Sequence, residues 1–358
     1  MDIVTHGLAS FAVARGFFPR AGKLVMASAV LTGTIADLDW LSNYFGPSAF
    51  LSWHGTYTHS VAAAALISMF LPAILFSAIF WGGLGIDIAL PQGEVKPDDL
   101  RAARNLALRN LIAGVFVAPF CAALLHIAMD ACQSDGVALL LPFSSRRFAA
   151  DWLPSLDPWM LTILVAAIAL PELLHLVGSE IGAKAKKPRG QTGAIVGLAL
   201  MLVYVGARAT LHSNVIALME SRTFHGEASR RAKAFPESLS LLTWHGVVET
   251  DSAVNIIDIA AASPDAFDAE ASVRQFKPEP SPALDAARNT VAARRFLATA
   301  RIPKASLEKT EIGYVVVLRD LRYAAAGETQ HEIAALIELD LNSKVTSQEL
   351  VWARNLRH

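Results

Sequence analysis

The sequence predicts an α-helical transmembrane bundle of about five to six helices, followed by a soluble α+β domain with an antiparallel sheet. The chain has 358 residues, of which 53% are hydrophobic and only 18% are charged. Long apolar runs fill residues 1–211, whereas residues 212–358 alternate between apolar and polar positions, with Pro, Asp and Gly clusters between the alternating segments. We therefore expect two domains with these bounds.

Four segments of the first domain reach the length of about 20 mostly apolar residues that a membrane crossing requires. They cover residues 61–81, 106–129, 156–177 and 192–211. Two shorter segments, 4–18 and 24–38, are predicted to form a helical hairpin that crosses the bilayer only in part. The count is then six helices, with the first two less extended than the others.

Basic residues predict the orientation, because short cytoplasmic loops carry the excess of Lys and Arg. The basic links contain Arg15, Arg20 and Lys23, then Lys96, Arg101, Arg104 and Arg109, then Lys184, Lys186, Lys187 and Arg189. The alternate links contain no Lys or Arg between residues 39 and 60, and only Arg146 and Arg147 between residues 130 and 157. This pattern places the N-terminus and residues 212–358 on the non-cytoplasmic side.

Seven His and Asp side chains lie at the ends of the apolar segments, and this topology places all of them at the outer face. They are His6, Asp37, Asp39, His54, His59, His126 and Asp130. Imidazoles and carboxylates in this proportion suit Zn²⁺, or Mn²⁺ or Fe, better than Ca²⁺, which prefers oxygen ligands. Seven ligands exceed one tetrahedral shell, so we expect two metal ions, or three.

Each part of this constellation also has a simpler interpretation. His126 and Asp130 are spaced i, i+4 on one helix face, which suits a metal pair but also an intrahelical hydrogen bond. Asp37 and Asp39 repel each other unless a cation lies between them, but they also fit a solvated helix end. His54, His59 and His6 are weak indications taken singly. The joint placement of the seven residues carries the metal hypothesis.

Other polar residues and motifs narrow the alternatives. Asp2 precedes His6 by four residues and is a candidate to orient its ring. Asp157, followed by Pro158, fits the N-cap of a helix.

Cys121 and Cys132 lie in or beside an apolar helix, which argues against a disulfide framework. The net charge of −1 does not favour nucleic acid as a partner, and the sequence has no GxSxG elbow, Walker loop or glycine-rich dinucleotide turn.

The second domain is predicted to contain strands and one long helix. Residues 241–248, 253–259, 314–318 and 333–341 are β-branched or alternating, and residues 283–300 have a helical pattern. Four histidines of this domain are isolated and are interpreted as structural or surface residues; they are His212, His225, His245 and His331. His175, on the fifth apolar segment, is interpreted as a packed or snorkelling residue.

The N-terminal motifs resemble those of the YdjM-type membrane-bound metal-dependent hydrolases of bacteria. The resemblance rests on Met1-Asp2 with Thr5-His6, on Ala36 to Asp39, on His54 with Thr58-His59-Ser60, on His126 to Asp130, and on the run from Gly136 to Trp152. It implies a bacterial inner-membrane protein of several crossings, distantly related to zinc-dependent phospholipase C and P1-type nucleases. Because an Asp-Pro recurs in the family where this chain has Asp157, the resemblance also makes Asp157 a possible ligand.

The resemblance implies hydrolysis of a phosphate ester by a metal-activated water, with a lipid or lipid-linked phosphate as the expected substrate. The candidate catalytic residues are Asp37, Asp39, His59 and Asp130. The family usually has Arg where this chain has Gly55, and we expect Arg146 and Arg147 to bind the phosphate instead. The alternative is a non-enzymatic membrane protein whose metal site is structural or serves transport. The sequence leaves open the oligomeric state and the role of the second domain, either in substrate access or in partner binding.

Overall fold

A computed structural model of the chain describes residues 1–19, 22–81, 97–180, 190–263, 266–326 and 332–356. The chain divides into two compact units. The membrane unit comprises Met1–Asp39 and Gly55–Ala207, and the sheet unit comprises Trp40–His54 and Arg208–His358. The boundary predicted between residues 211 and 212 lies four residues beyond the structural boundary, inside one continuous helix. Sequence patterning did not indicate that Trp40–His54 belongs with the C-terminal unit.

In the described part of the chain, seven helices lie between the N-terminus and the first strand. They are α1 (Ile3–Phe17), α2 (Gly22–Thr32), α3 (Pro47–Trp53), α4 (Val61–Trp81), α5 (Pro97–Ala131), α6 (Pro158–Glu180) and α7 (Gln191–Glu220). Within the described ranges, four segments are long and apolar enough to cross a membrane: Gly22–Phe45, Val61–Ala78, Gly114–Ala131 and Gln191–Glu220. A shorter apolar stretch covers Pro158–Leu174. These segments confirm the predicted helical membrane part.

The second predicted helix, over residues 24–38, ends earlier than expected. The α-helix stops at Thr32, and a 3₁₀ segment follows over Ile35–Phe45. The Thr34 hydroxyl donates a 2.9 Å hydrogen bond to the Val30 carbonyl oxygen at the turn between them. This local competition for backbone acceptors, together with the Gly33 that precedes it, ends the α-helix. Asp37 and Asp39 therefore lie on a 3₁₀ segment, where residues two apart point in different directions.

Small side chains form the interior of the membrane unit. Ala14 of α1, Ala29 of α2, and Ala118 and Ala122 of α5 are all fully buried. Alanine and glycine let helix backbones approach closely, and this approach replaces the hydrophobic driving force that is missing between helices in lipid. A Cβ atom on Gly193 of α7 would collide with the carbonyl oxygen of Ala167 in α6, so this contact requires glycine.

Among its described residues, the sheet unit contains ten strands and three further helices. The strands are β1 (Thr223–Phe224), β2 (Glu227–Ala228), β3 (Arg231–Pro236), β4 (Thr243–Glu249), β5 (Ala253–Ala260), β6 (Val273–Phe276), β7 (Pro303–Lys309), β8 (Gly313–Asp320), β9 (Ile333–Asp340) and β10 (Val345–Trp352). Two four-stranded sheets have the orders β3-β4-β5-β6 and β10-β9-β8-β7, and every pairing is antiparallel. The predicted α+β class with antiparallel sheet is confirmed.

The single helix expected over residues 283–300 is two short helices. They are α8 (Pro282–Arg288) and α9 (Val291–Leu297), and the last helix of the unit is α10 (Leu321–Ala326). The side chain of Thr290 accepts a hydrogen bond from the backbone N–H of Ala293 and so caps α9. Helical periodicity continues across the break, and for this reason the sequence pattern did not reveal it.

The C-terminal part of α7 packs into the core of the sheet unit. Met219 and Trp244 are fully buried there, and the guanidinium of Arg208 lies 4.4 Å from the centroid of the Trp244 ring system. Arg208 is itself buried, with its exposed fraction at 2%, and donates to the Leu241 carbonyl oxygen. A cation–π contact and a backbone acceptor thus compensate the burial of this charge.

Replacing Gly193 with Ala is expected to lower the thermal unfolding midpoint in detergent, because the added methyl group forces α6 and α7 apart against backbone atoms. We expect a loss of about 1 to 3 kcal/mol, typical of overpacked interiors. Gly206→Ala is the matched control, since it lies on the same helix and its Cβ would meet nothing within 4 Å. Equal midpoints for the two variants would show that the α6–α7 contact does not require glycine.

Candidate metal centre

Four buried or half-buried side chains converge in the membrane unit from three separate stretches of chain. They are His6 in the first turns of α1, Asp37 on the 3₁₀ segment after α2, and His126 and Asp130 at the end of α5. Each offers a ligand atom, and these atoms all lie within 4.8 Å of one another. The helix ends therefore meet at a group of His and Asp residues with the spacing that a metal ion requires.

Asp130 occupies the middle of the cluster. Its Oδ1 lies 3.1 Å from His6 Nε2, and its Oδ2 lies 3.2 Å from His126 Nε2 and 3.2 Å from His59 Nε2. Asp37 Oδ1 lies farther from the imidazoles, at 3.6 Å from His126 Nε2 and 3.8 Å from His59 Nε2. The i, i+4 spacing on α5 brings His126 and Asp130 together, whereas tertiary packing brings the other three.

The tautomer of His126 is set by a backbone group. Its Nδ1 lies 2.8 Å from the carbonyl oxygen of Gly33, and a carbonyl can only accept, so Nδ1 carries the proton. Nε2 then presents a lone pair towards Asp37 and Asp130. Metal-bound histidines are commonly held in this way, by a hydrogen bond from the other ring nitrogen to a carbonyl. Gly33 was not singled out from the sequence, and its only signal is a glycine at the end of an apolar helix.

Asp39 lies behind His59, on the side of the ring away from Asp130. Its Oδ2 accepts hydrogen bonds from the Gly55 N–H and the Thr58 hydroxyl, both at 2.9 Å, and lies 3.0 Å from His59 Nδ1. Because Thr58 gives its only hydroxyl proton to Asp39, Nδ1 of His59 is the donor towards Asp39. The structure thus places Asp39 where it orients His59, and Asp37 where it faces the cluster.

The carboxylates around His59 shift its pKa. Burial alone lowers the pKa of His59, but hydrogen bonds with Asp130, Asp37 and Asp39 outweigh burial and raise the pKa well above its ordinary value. The cause is the negative charge of the three carboxylates, and the same charge attracts a divalent cation.

The hydrogen bonding within the cluster is a second, independent indication that these residues fit a metal ion. Three buried atoms of this cluster have no hydrogen-bond partner among the described residues: His6 Nδ1, Asp37 Oδ2 and His126 Nε2. His126 Nε2 lies 3.2 Å from a carboxylate oxygen, yet both atoms are acceptors. Two acceptors buried at this distance repel each other unless a cation, or a second proton on the ring, lies between them. Neutral imidazole and carboxylate together suit Zn²⁺, Mn²⁺ or Fe.

Gln133 is a further buried member of the cluster that sequence patterning missed. Its Nε2 donates to Asp130 Oδ1 at 3.1 Å, and its Oε1 accepts from the Met1 amine at 3.0 Å. The Met1 amine also donates to Asp130 Oδ1, at 2.7 Å. The available signal was the spacing of three residues after Asp130 at the end of α5. Together these contacts fix Oδ1 of Asp130 and leave Oδ2 facing the imidazoles of His59 and His126.

Asp2 and Asp157 serve as helix caps. Asp2 accepts from the backbone N–H of Thr5 at 2.9 Å and from its hydroxyl at 2.6 Å, rather than from His6 as expected. Asp157 accepts from the backbone N–H groups of Trp159 and Met160 at the start of α6, and from the Tyr204 hydroxyl at 2.8 Å. Its contacts match the N-cap interpretation.

The structure assigns His54 to the sheet unit, and Arg146 and Arg147 to the membrane unit. His54 lies in the sheet unit at the end of α3, where its ring stacks on Phe50 with centroids 4.6 Å apart. Arg147 is half-buried and donates to the Gly136 carbonyl oxygen at 3.3 Å. Its Nη1 lies 3.2 Å from the point that a Cβ on Gly55 would occupy. Arg146 is exposed.

The remaining titratable residues lie apart from the cluster or outside the described residues. His225 contacts Ser272, and His245 pairs with Asp258 at 2.6 Å, both within the sheet unit. The side chain of His175 and the whole of His331 lie outside the described residues.

Burial, followed by the charge of Asp130, raises the pKa of the Cys132 thiol to about 11, so this thiol stays protonated.

Comparison with known proteins gives a family match over the membrane part. Residues 1–215 match the family described as YdjM inner membrane protein. The chain is 25% identical over 170 residues to the uncharacterized protein YfhP of Bacillus subtilis (strain 168), which covers 48% of this chain and 43% of YfhP. The chain thus spans less than half the length of that relative. No solved structure matches.

Replacing His126 with Ala is expected to remove at least one equivalent of bound Zn²⁺, because a ligand on a packed helix has no neighbour that can move into its place. Elemental analysis of detergent-purified protein after dialysis against Zn²⁺ measures this loss. His245→Ala in the sheet unit is the control and is expected to keep the metal. Full metal content in the His126 variant would contradict the assignment of this residue as a ligand.

Replacing Gly33 with Ala is expected to weaken Zn²⁺ binding by about tenfold or more, the scale seen when groups that orient metal ligands are altered. The new methyl group would overlap Ser10 Oγ and shift the carbonyl that holds His126. Competition titration with a chelating dye measures the affinity. The double variant with Ser10→Gly relieves the overlap and is expected to recover binding. An affinity unchanged by Gly33→Ala would show that the Gly33 carbonyl does not position His126.

Proposed function

Because the chain belongs to the YdjM inner membrane protein family, we propose that it is a membrane-embedded, metal-dependent hydrolase that cleaves phosphate esters of lipids or lipid-linked molecules. One observation carries the proposal: His6, Asp37, His126 and Asp130 bring ligand atoms within 4.8 Å of one another at the ends of apolar helices, and one buried atom each of His6, Asp37 and His126 has no hydrogen-bond partner. A buried group of this kind is best explained by a bound divalent cation, and its position at helix ends is consistent with access from a membrane face.

A divalent ion held by His6, Asp37, His126 and Asp130 would lower the pKa of a water molecule and would offset the negative charge of a phosphoryl group. The protein residues supply the remaining requirements. Asp130 contacts three imidazoles, so it fixes their spacing, and Asp37 faces the same space with one oxygen unpaired. Asp39 orients His59 through Nδ1. We assign Asp37, Asp39, His59 and Asp130 to the catalytic machinery on these contacts.

Arg147 is the better placed of the two arginines for binding a phosphate. Its guanidinium lies against Gly55, whose N–H donates to Asp39, and Asp39 in turn contacts His59. A planar guanidinium binds phosphate oxygens in a bidentate manner. Arg146 lies 5.6 Å from the Phe148 ring centroid and is exposed, so it is the outer of the two positive charges.

Charge distribution in the sequence supports the extracytoplasmic placement that we propose for the cluster. The links at the opposite ends of the apolar segments hold eleven Lys and Arg residues, whereas the ligand-bearing links hold Arg146 and Arg147 alone. A transport function would need polar groups through the bilayer midplane. The span Val61–Ala78 contains no acidic residue and no histidine, which favours a site confined to one face.

The proposal is tested with Zn²⁺-loaded protein in mild detergent, assayed on phosphate monoesters, diesters and phospholipids. We expect turnover of at least one class, loss of turnover on chelation and recovery on addition of Zn²⁺. Arg147→Gln is expected to raise KM by about tenfold with unchanged metal content, and the matched variant Arg146→Gln is expected to have the smaller effect. Fully loaded protein without turnover on any class would favour a structural metal site.

A further inference from the structure

The segment between the second and third predicted crossings has an unusual composition. From Trp40 to Ser60 it contains no Lys, Arg, Asp or Glu. The same stretch carries six aromatic residues: Trp40, Tyr44, Phe45, Phe50, Trp53 and Tyr57. Loops that face water in proteins are usually rich in charged residues, whereas aromatic side chains without charges are typical of the boundary between lipid and water.

The 3₁₀ segment Ile35–Phe45 arranges part of this set as a continuous ridge. A 3₁₀ helix has three residues per turn, so side chains three apart lie above one another. Leu38, Leu41 and Tyr44 have this spacing, and their exposed fractions are 52%, 50% and 77%. Phe45 beside them is 80% exposed. We call these four residues the apolar ridge.

Chain continuity indicates what covers the apolar ridge. The candidate membrane span Gly22–Phe45 includes all four residues, and only fifteen residues separate it from the next candidate span, Val61–Ala78. Asp39, on another side of the same 3₁₀ segment, is buried at 8% exposure. The segment therefore presents a carboxylate inward and the row of Leu38, Leu41 and Tyr44 outward, which is the arrangement expected of an amphipathic segment at the lipid interface.

We propose that the apolar ridge inserts into the lipid interface and forms the surface along which a lipid substrate reaches the metal centre. The proposal rests on the proposed hydrolase function for the identity of the substrate. Asp37, a member of the metal cluster, immediately precedes Leu38 in the 3₁₀ segment, so the ridge begins next to the cluster in the chain. The substrate class is then an amphiphile that remains in the bilayer, in preference to a water-soluble phosphate ester.

Membrane contact of the ridge is tested without any assay of activity. Cys121 and Cys132 are replaced with Ala, a nitroxide is attached to cysteine at position 44, and the protein is placed in phosphatidylglycerol and phosphatidylethanolamine vesicles. Electron paramagnetic resonance should show that oxygen relaxes this label more than a water-soluble nickel chelate does, with the reverse at position 308, an exposed Glu on β7. Preferential relaxation of the label at position 44 by the nickel chelate would overturn the proposal.

Delivery of substrate is tested by the double variant Tyr44→Ser, Phe45→Ser. We expect turnover of vesicle phospholipid to fall about tenfold or more, since two large apolar side chains leave the interface, with unchanged turnover of bis(4-nitrophenyl) phosphate and unchanged Zn²⁺ content. Ile312→Ser, which removes an 84% exposed apolar side chain from the sheet unit, is the matched control.

Turnover of the two substrates distinguishes failure of the delivery role from failure of the proposed hydrolase function. Equal loss of turnover on both substrates, or no loss on either, would overturn the ridge as a delivery surface while leaving a hydrolase. Wild-type protein that hydrolyses neither substrate would remove the proposed function and with it the delivery role, and the nitroxide label would still decide whether the ridge contacts lipid.

Discussion

The burial of negative charge at the end of an apolar helix bundle is the constraint on which the rest of the membrane unit depends. Asp130 is almost fully buried, contacts His6, His59 and His126, and receives hydrogen bonds from Gln133 and the Met1 amine. An isolated carboxylate in such a position would cost far more free energy than the packing around it supplies. The surrounding imidazoles and amine, and the cation that the cluster fits, make this burial possible.

Close helix packing meets this constraint through small residues. Gly33 allows Ser10 of α1 to approach the end of α2, and the same residue exposes the carbonyl that orients His126. Farther along the helices, close approach of the backbones depends on four buried alanines: Ala14, Ala29, Ala118 and Ala122. The geometry of the polar cluster is therefore a consequence of backbone distances that only glycine and alanine permit.

Residues that are neighbours in sequence belong to different units of the structure. Asp37 and Asp39 belong to the membrane unit, whereas Trp40–His54 belongs to the sheet unit. The 3₁₀ segment Ile35–Phe45 crosses this boundary and combines buried carboxylates with exposed apolar side chains. The tighter 3₁₀ repeat makes this possible, because it aligns every third residue and so separates Asp39 from the exposed row.

The sequence alone determined the helical membrane part, the antiparallel α+β domain and the set of chain segments that hold the candidate ligands, because apolar length, alternation and i, i+4 spacing are local properties. It did not reveal that Gly33 and Gln133 hold His126 and Asp130, that Asp39 orients His59, that Asp2 caps α1, or that His54 lies in the sheet unit. Those roles depend on which helix ends meet and on which ring nitrogen faces which oxygen. Packing between segments distant in sequence decides both, so only the tertiary structure shows them.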